Sequence, residues 1–397
     1  MQDIFKDIII HLTDEHTFAA DVPKAGGLYT SELKGIAPIM IKLKDDRRFF
    51  EGAVVADRYI GKAAAMLLID SGAKAIFGQV VSEHAVCILE ASGIIWEAET
   101  TVPYIINRKK DGMCPMEKAV LNETDVSNAF EILKKRQNEM KYADVIEQGK
   151  TALGIELGST RIKAVLTDEE AHILATGSFG WENKLENGLW TYSLEDIYGG
   201  LKACYKDLKA AVKEKYGVTL TKISKMGISA MMHGLMAFDA GGNLLVPFRT
   251  WRNTNTTKGA EYLTKLFNFN IPLRWSVAHL GTALLDNEPF VEKLDYMTTL
   301  AGFIHWQLTG EKVIGVGDAS GMFPIDSETA DYNQKMIDAM EEKMALPKPL
   351  RELFPKVLKA GEAAGILTEA GAKLLDEEGD LSAGSRLCPP EGDAGTG

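Results

Sequence analysis

From about residue 151 the chain alternates apolar and polar residues in the way that is typical of β-strands. Three such runs follow one another, separated by the turn-forming triplets Gly158-Ser159-Thr160 and Asp168-Glu169-Glu170. Short polar turns between alternating runs indicate antiparallel hairpins. The pattern therefore predicts three consecutive strands, Ala152–Glu156, Ile162–Thr167 and Ile173–Gly180.

A long amphipathic helix is predicted next, over Leu194–Tyr216. Ser193 stands at its start with Asp196 three residues later, the spacing of a capping box. The remaining pattern predicts further strands at Lys225–Ser229, Leu235–Asp239 and Leu244–Phe248, and helices near Thr256–Leu266, Pro289–Thr309 and Tyr332–Met344.

In the first 140 residues short β-like and helical runs alternate, which is typical of a layered α/β domain. The expected strands are Pro38–Leu43, Gly52–Val55, Ala75–Phe77, Ile94–Ala98 and Tyr104–Ile106, and the expected helices are Gly61–Ser71 and Glu83–Ala91. Residues 128–150 begin as an amphipathic helix and end in a polar stretch. We therefore expect one domain over 1–140, a linker over 141–150 and a second domain over 151–397.

Composition narrows the class of protein. The 397 residues are 46% hydrophobic and 25% charged, with a formal charge of -12. No apolar run is long enough to cross a membrane, and an acidic chain is a poor partner for nucleic acid. The four cysteines lie far apart with no C-x-x-C pair, as in reduced cytoplasmic proteins.

The segment Gly154–Lys163 combines the groups that hold a phosphate and a metal ion. Glu156 ends a strand, Gly158, Ser159 and Thr160 form a tight turn, and Lys163 follows on the next strand. Turn N–H groups and hydroxyls point readily at phosphate, and a carboxylate on the same loop is a ligand for Mg²⁺. A plain hairpin turn would explain the glycine and serine equally well.

Further segments, in order, turn this pattern into a resemblance. They are Gly227–Gly234 with Met232-His233-Gly234, Asp239–Trp251, Leu308–Glu311 with Asp318–Gly321, and Pro390–Gly395 with Gly392-Asp393. Together with Gly154–Lys163 they resemble the FGGY carbohydrate kinases, and the xylulokinase type in particular. The resemblance covers residues 151–397 and implies an actin-like, ribonuclease H-like α/β fold.

The resemblance implies ATP-dependent phosphorylation of a sugar hydroxyl, a pentulose, hexulose or related sugar, with Mg²⁺ bound through Glu156. It makes Asp393 the catalytic base and places Met232, His233, Trp251 and Asn253 at the sugar. Asp393 would also suit a helix N-cap, and His233 a structural role. Because the chain ends four residues after Asp393, we expect the ATP-binding half to be absent, the chain alone to be inactive, and its exposed domain interface to favour a homodimer.

Two departures from the family pattern bear on activity. Glu156 replaces the usual aspartate of the first loop, and the family's Trp-x-Asp-x-Arg reads here as Trp251-Arg252-Asn253-Thr254-Asn255. A carboxylate and a guanidinium are therefore missing. The alternative is a non-catalytic sugar-binding or regulatory protein.

Residues of about 29–135 resemble a small bacterial family numbered DUF1893, with a cytidine-deaminase-like fold. The matching segments are Ala56–Ala65, Ser82–Val86 and Met113–Glu117. The H-x-E and P-C-x-x-C ligands of zinc deaminases are missing, and His84 with Cys87 supplies too few ligands for zinc. The helix start at Gly61-Lys62 suits either an anion or a surface lysine. We expect a ligand-binding or regulatory module.

Overall fold

The computed structural model describes residues 2–396. It is a mixed α/β protein of two compact units, divided between Lys141 and Tyr142. Gly397 lies outside the described residues.

The N-terminal unit is built on one five-stranded sheet of order β2-β1-β3-β4-β5. Its strands are β1 (Phe18–Val22), β2 (Gly27–Ser31), β3 (Val54–Ile60), β4 (Ala75–Ser82) and β5 (Ile95–Val102). β1 runs antiparallel to both of its neighbours, whereas β3, β4 and β5 are parallel. The last three strands therefore end at the same edge of the sheet.

Helices cover both faces of this sheet. They are α1 (Lys6–Ile9), α2 (Ala37–Asp45), α3 (Lys62–Asp70), α4 (Glu83–Ser92), α5 (Pro115–Ala119) and α6 (Ala129–Glu147), with 3₁₀ turns at Asp3–Phe5, Pro23–Ala25 and Val126–Asn128. The larger core packs α2, α3, α4 and the start of α6 on one face, and a smaller one packs Phe5 and Ile8 on the other. α6 continues to Glu147, so most of the expected linker is helical.

The prediction of a strand at Pro38–Leu43 is wrong, since these residues belong to α2. Ile39, Met40 and Leu43 are buried at helical spacing, and Pro38 occupies the first turn, where its missing N–H costs nothing. The short apolar run carried no signal that separates a buried helix from a strand. The predicted helices at Gly61–Ser71 and Glu83–Ala91 are confirmed as α3 and α4.

The second unit contains a six-stranded sheet of order β18-β11-β6-β7-β8, with β19 also pairing with β11. The strands of the unit are β6 (Thr151–Leu157), β7 (Arg161–Asp168), β8 (Ile173–Gly180), β9 (Lys184–Glu186), β10 (Leu189–Thr191), β11 (Lys225–Ala230), β12 (Met236–Phe238), β13 (Tyr296–Thr298), β14 (Val313–Gly315), β15 (Ile325–Asp326), β16 (Asp331–Tyr332), β17 (Lys356–Leu358), β18 (Arg386–Leu387) and β19 (Glu391–Gly392). β6, β7 and β8 form the predicted antiparallel hairpins.

Nine α-helices follow in the described part of this unit. They are α7 (Leu194–Tyr216), α8 (Thr257–Phe267), α9 (Ser276–Leu285), α10 (Leu300–Thr309), α11 (Val316–Ala319), α12 (Gln334–Lys343), α13 (Leu350–Leu353), α14 (Glu369–Leu375) and α15 (Asp393–Thr396), with a 3₁₀ turn at Pro289–Lys293. α7 and α10 pack on the sheet, while α8, α9 and α12 enclose a separate core.

The predicted α7 is confirmed to the residue, including its capping box between Ser193 and Asp196. It lies so close to β8 that a Cβ at Gly177 would stand 2.5 Å from the Cys204 carbonyl oxygen. Glycine is therefore required at this contact. No helix in the described part of the chain is both long and apolar enough to cross a membrane.

Two predictions in this unit are wrong. Pro289–Thr309 is not one helix, because β13 interrupts it by pairing with β12, and α10 starts only at the Thr299 cap. Leu244–Phe248 is not a regular strand, since only the isolated bridges Phe238–Leu244 and Leu235–Arg249 form there. In both places tertiary pairing decided what the local pattern left ambiguous.

Candidate functional site

Strand register brings three loops to one edge of the second sheet. Ser229 on β11 pairs in parallel with Glu156 on β6 on one side and with Glu391 on β19 on the other. Neighbouring strands are about 4.8 Å apart, so β6 and β19 lie roughly 10 Å from each other. The turn after β6, the Met232-His233 loop after β11 and Asp393 after β19 therefore leave the sheet at the same edge.

Two aromatic side chains, Trp181 and Tyr192, hydrogen-bond to the backbone of the turn between β6 and β7. Trp181 donates from its ring to the Gly158 carbonyl oxygen at 2.7 Å, and Tyr192 donates from its hydroxyl to the Ser159 carbonyl oxygen at 2.6 Å. The Thr160 carbonyl oxygen accepts from the Trp181 N–H at 3.2 Å. The two rings stack with centroids 4.2 Å apart, so the turn is fixed before any ligand arrives.

Trp181 and Tyr192 were not identified from the sequence, although the pairing of the predicted β7–β8 hairpin could have placed Trp181 near the turn. Gly180 lies opposite Arg161 in the β7–β8 hairpin, which places the next residue, Trp181, beside the turn. Both aromatic side chains are buried, Trp181 being 7% and Tyr192 1% exposed.

Glu156 and Lys163 face each other across the β6–β7 ladder. Their charged atoms are 3.8 Å apart, and the side chains are 43% and 56% exposed. A Cβ at Gly158 would lie 3.2 Å from Glu156 Oε1, so the carboxylate leans over the turn. Solvent reaches this pair, and it contributes little to stability, which leaves both charges available to a ligand.

Asp393 is half-buried at the start of α15. Its Oδ1 accepts a hydrogen bond from the Met232 N–H at 3.3 Å. Met232 also fills the space beside Gly392, where a Cβ would overlap its side chain. The loop after β11 therefore packs against the junction between β19 and α15, and its Met232 N–H holds the Asp393 carboxylate.

His233 has a left-handed backbone with φ of 69°, a conformation that is uncommon for residues other than glycine, although histidine, asparagine and aspartate adopt it more often than most. Its Nδ1 lies 3.4 Å from the Gly321 carbonyl oxygen, and a Cβ at Gly321 would stand 2.6 Å from that nitrogen. Burial lowers the pKa of the imidazole. A neutral ring carries one donor and one acceptor, which suits a sugar hydroxyl.

Asn253 is used within the protein. It is 4% exposed, its Oδ1 accepts from the Trp190 N–H at 2.9 Å, and its Nδ2 donates to the carbonyl oxygens of Trp190 and Thr250 at 2.7 and 3.1 Å. Both N–H donors of the side-chain amide and its carbonyl oxygen are thereby engaged in hydrogen bonds within the protein. Trp251, by contrast, is 36% exposed, and the Arg252 guanidinium lies 4.1 Å over the Trp190 ring.

A fully buried acid, which sequence reasoning named only as part of a motif, lies behind the Asp393 loop. Asp318 Oδ2 accepts from the Thr299 hydroxyl at 2.6 Å, and its Oδ1 has no hydrogen-bond partner among the described residues. Burial, together with the nearby carboxylates of Glu391 and Asp393, raises the pKa of Asp318 to about 7. Burial also raises the pKa of Glu391.

In the N-terminal unit the helix start at Gly61-Lys62 is occupied by a carboxylate of the same chain. Glu117, 1% exposed, accepts from the Lys62 N–H at 3.2 Å, from the Ile105 N–H at 2.8 Å and from the Ser82 hydroxyl. Lys62 is itself buried and donates to the Leu121 carbonyl oxygen. The helix start is therefore not open to an external anion, and Lys62 is not a surface lysine, so neither of the two predicted alternatives describes this position.

Among the described residues one group has the spacing of three metal ligands, Asp168, Glu170 and His172. It is the turn between β7 and β8, where the Asp168 carboxylate accepts from the N–H groups of Glu170 and His172. Internal hydrogen bonds account for this arrangement without a metal.

Comparison with known proteins agrees with the motifs. The model of the FGGY family of carbohydrate kinases, N-terminal domain, matches residues 151–378, which is more than half of the chain. This chain belongs to the FGGY family of carbohydrate kinases. The model of a domain of unknown function, DUF1893, matches residues 10–137 and precedes the FGGY domain.

Relatives of the FGGY domain are distant. An L-fuculokinase from Salmonella typhi is 24% identical over 56% of this chain and 47% of its own length. A xylulose kinase from Lactococcus lactis is 22% identical over 54% of this chain and 42% of its own length. A xylulose kinase structure from Rhodospirillum rubrum matches with a TM-score of 0.52 at 17% identity, over 62% of this chain and 50% of its own. The chain thus spans about half the length of the relatives it matches, and the second unit has their fold.

Proposed function

We propose that this chain takes part in the ATP-dependent transfer of a phosphoryl group to a sugar hydroxyl. The observation that carries the proposal is the register of β6, β11 and β19. It delivers a rigid glycine-containing turn, a half-buried histidine and a half-buried aspartate to one edge of the sheet. Phosphoryl transfer needs little more than positioning, charge neutralisation and a base.

Asp393 is the proposed base. The Met232 N–H holds its Oδ1, and the carboxylate would take the proton of the attacking sugar hydroxyl. Asp393 is the first residue of α15 and not the residue before it, so the N-cap position of this helix falls on Gly392. His233, neutral because burial lowers its pKa, would bind another hydroxyl, and the exposed Trp251 ring offers an apolar wall to the sugar.

The β6–β7 turn is the proposed phosphate site. Its carbonyl oxygens are tied to Trp181 and Tyr192, and Gly158, Ser159, Thr160 and Lys163 would face the triphosphate of ATP. The exposed Glu156 carboxylate is a hard oxygen ligand of the kind Mg²⁺ prefers, so the residues fit the ion. Glu156 would hold Mg²⁺, whose positive charge would help to neutralise the phosphate groups.

The substrate class proposed is a ketose or related polyhydroxy compound, because the relatives are named for fuculose, xylulose and glycerol. Asn253 would act indirectly, by holding Trp190. For the N-terminal unit we keep the proposal of a deaminase-like ligand-binding or regulatory module.

The test is sugar-dependent ADP release across a panel of pentuloses, hexuloses, aldoses and glycerol, together with thermal shift. It is run on the 397-residue chain and, where the natural polypeptide extends further, on the longer form. A ligand at 100 times its dissociation constant adds about 2.7 kcal/mol of stability. We expect one sugar class to stabilise the protein and to cause ADP release from the longer form, and no ADP release from the 397-residue chain alone. The proposal would be refuted if no sugar stabilised the protein and no sugar caused ADP release, in either form of the protein.

A second candidate is a non-catalytic sugar-binding protein, favoured by Asn253 and Asn255 at positions where the family pattern has a carboxylate and a guanidinium. Stabilisation by a sugar without ADP release from the longer form would select this function.

A further inference from the structure

A carboxylate of the catalytic loop is bound by the backbone of a neighbouring loop. Glu391 Oε2 accepts a hydrogen bond from the Asp318 N–H at 2.9 Å, and the backbone N–H groups of Gly317 and Gly392 lie near enough to lower the pKa of this carboxylate. One residue earlier, the Pro390 carbonyl oxygen accepts from the Gly315 N–H at 2.8 Å. The segment before Asp393 is thus attached twice to residues 315–318.

The shape of the neighbouring loop matches this carboxylate. A Cβ at Gly315 would overlap Glu391 Oε1, and a Cβ at Gly317 would stand 2.6 Å from Oε2. Both glycines have backbone conformations open to other residues, since neither has a positive φ. Space for the Glu391 side chain, and not backbone freedom, is therefore what requires glycine at these two positions.

Two further contacts determine where Asp393 can lie. On its other side β19 pairs with β11, at Ser229 and Ala230, and Gly392 packs against Met232. A strand of only two residues offers few ladder hydrogen bonds of its own. The Glu391 carboxylate supplies the remaining attachment, immediately before the proposed base.

We propose that Glu391 is a positioning residue, whose carboxylate fastens the catalytic loop to residues 315–318 and so sets the place of Asp393. This inference rests on the proposed function, since it concerns the base of that reaction.

The test compares Glu391→Ala, which removes the acceptor, with Glu391→Gln, which keeps an oxygen for the Asp318 N–H. Glu328→Ala, at an exposed glutamate, is the matched control. Amide exchange is measured for residues 316–318 and 392–393, and kcat and KM for sugar-dependent ADP release are measured on the longer form carrying the same substitutions.

For Glu391→Ala we expect exchange of these amides to rise about tenfold or more. We expect kcat to fall about 10- to 100-fold, the scale of a misplacement of about 1 Å, with the KM for sugar changed less than about twofold. Glu391→Gln and the control should stay within about threefold of wild type in both measurements.

Unchanged exchange in Glu391→Ala would overturn the inference, and so would a Gln variant as impaired as the Ala variant. If the wild-type protein releases no ADP, the proposed function fails, while the inference is decided by exchange and by ¹³C NMR of the Asp393 carboxyl. An Asp393 resonance that titrates identically in wild type and Glu391→Ala would then refute it.

Discussion

Replacing Asn253 by aspartate would restore a residue of the family pattern, yet the structure predicts that it destabilises the second unit. The amide donates to two carbonyl oxygens, of Trp190 and Thr250, and accepts from one N–H. An ionised aspartate retains the acceptor and loses both donations. It also sets a charge, in a side chain 4% exposed, against those two oxygens.

The magnitude follows from the contacts. Two lost hydrogen bonds at about 1 kcal/mol each, plus the cost of an acceptor facing acceptors, give a loss of about 2–4 kcal/mol in the free energy of unfolding. Asn255→Asp is the matched control, because Asn255 is exposed and the same change there should stay within about 0.5 kcal/mol.

The assay is urea unfolding followed by tryptophan fluorescence. Five of the six tryptophans lie after residue 151, Trp96 being the exception, so the signal reports mainly the second unit and avoids mixing two transitions. Equal or greater stability of Asn253→Asp would refute the reasoning. So would a gain in sugar affinity, because it would show that position 253 reaches the substrate.

Three further outcomes are expected. Asp393→Asn should lower kcat about 10²- to 10⁴-fold in the coupled ADP assay with little change in sugar KM; near-normal turnover would place the base elsewhere. Asp318, with a folded pKa raised to about 7, contributes stability that is present below its unfolded pKa and is lost as pH rises towards 7. Asp318→Asn should therefore flatten urea-measured stability between about pH 4 and 7, and an unchanged pH profile would contradict this. Lys209→Met should lower the free energy of unfolding by about 3–5 kcal/mol, because it leaves the buried Asp376 carboxylate without its cation. Lys202→Met, which breaks the exposed pair with Glu377, should lower it by less than about 1 kcal/mol. Equal urea midpoints for the two variants would refute this difference.

Local signals predicted those parts of the fold that local interactions determine. The hairpins of β6, β7 and β8 follow from alternation and turn residues, and α7 from its capping box, so each was predicted close to its observed bounds. α2 and β13 were missed, because burial on two sides and cross-strand pairing decide them. At the site, the motifs identified Glu156, His233 and Asp393, whereas Trp181, Asp318 and Glu391 matter through contacts that span 23, 19 and 73 positions of sequence.

Departures from a family pattern acquire meaning from their neighbours. Glu156 keeps its charge and reaches Lys163 across the ladder, so its extra methylene is accommodated at an exposed position. Asn253 has an amide where the family pattern has a carboxylate, and this amide donates to the carbonyl oxygens of Trp190 and Thr250. Replacing Asn253 by aspartate would leave both oxygens without these donors. The Glu391 side chain likewise needs space, which Gly315 and Gly317 provide. In each case the altered residue has partners suited to it, which is the condition a functional site must meet if its motif is to change without losing the geometry. Loss of activity therefore does not follow from the motif alone, and sugar-dependent ADP release from the longer form is the measurement that separates a diverged kinase from a sugar-binding protein.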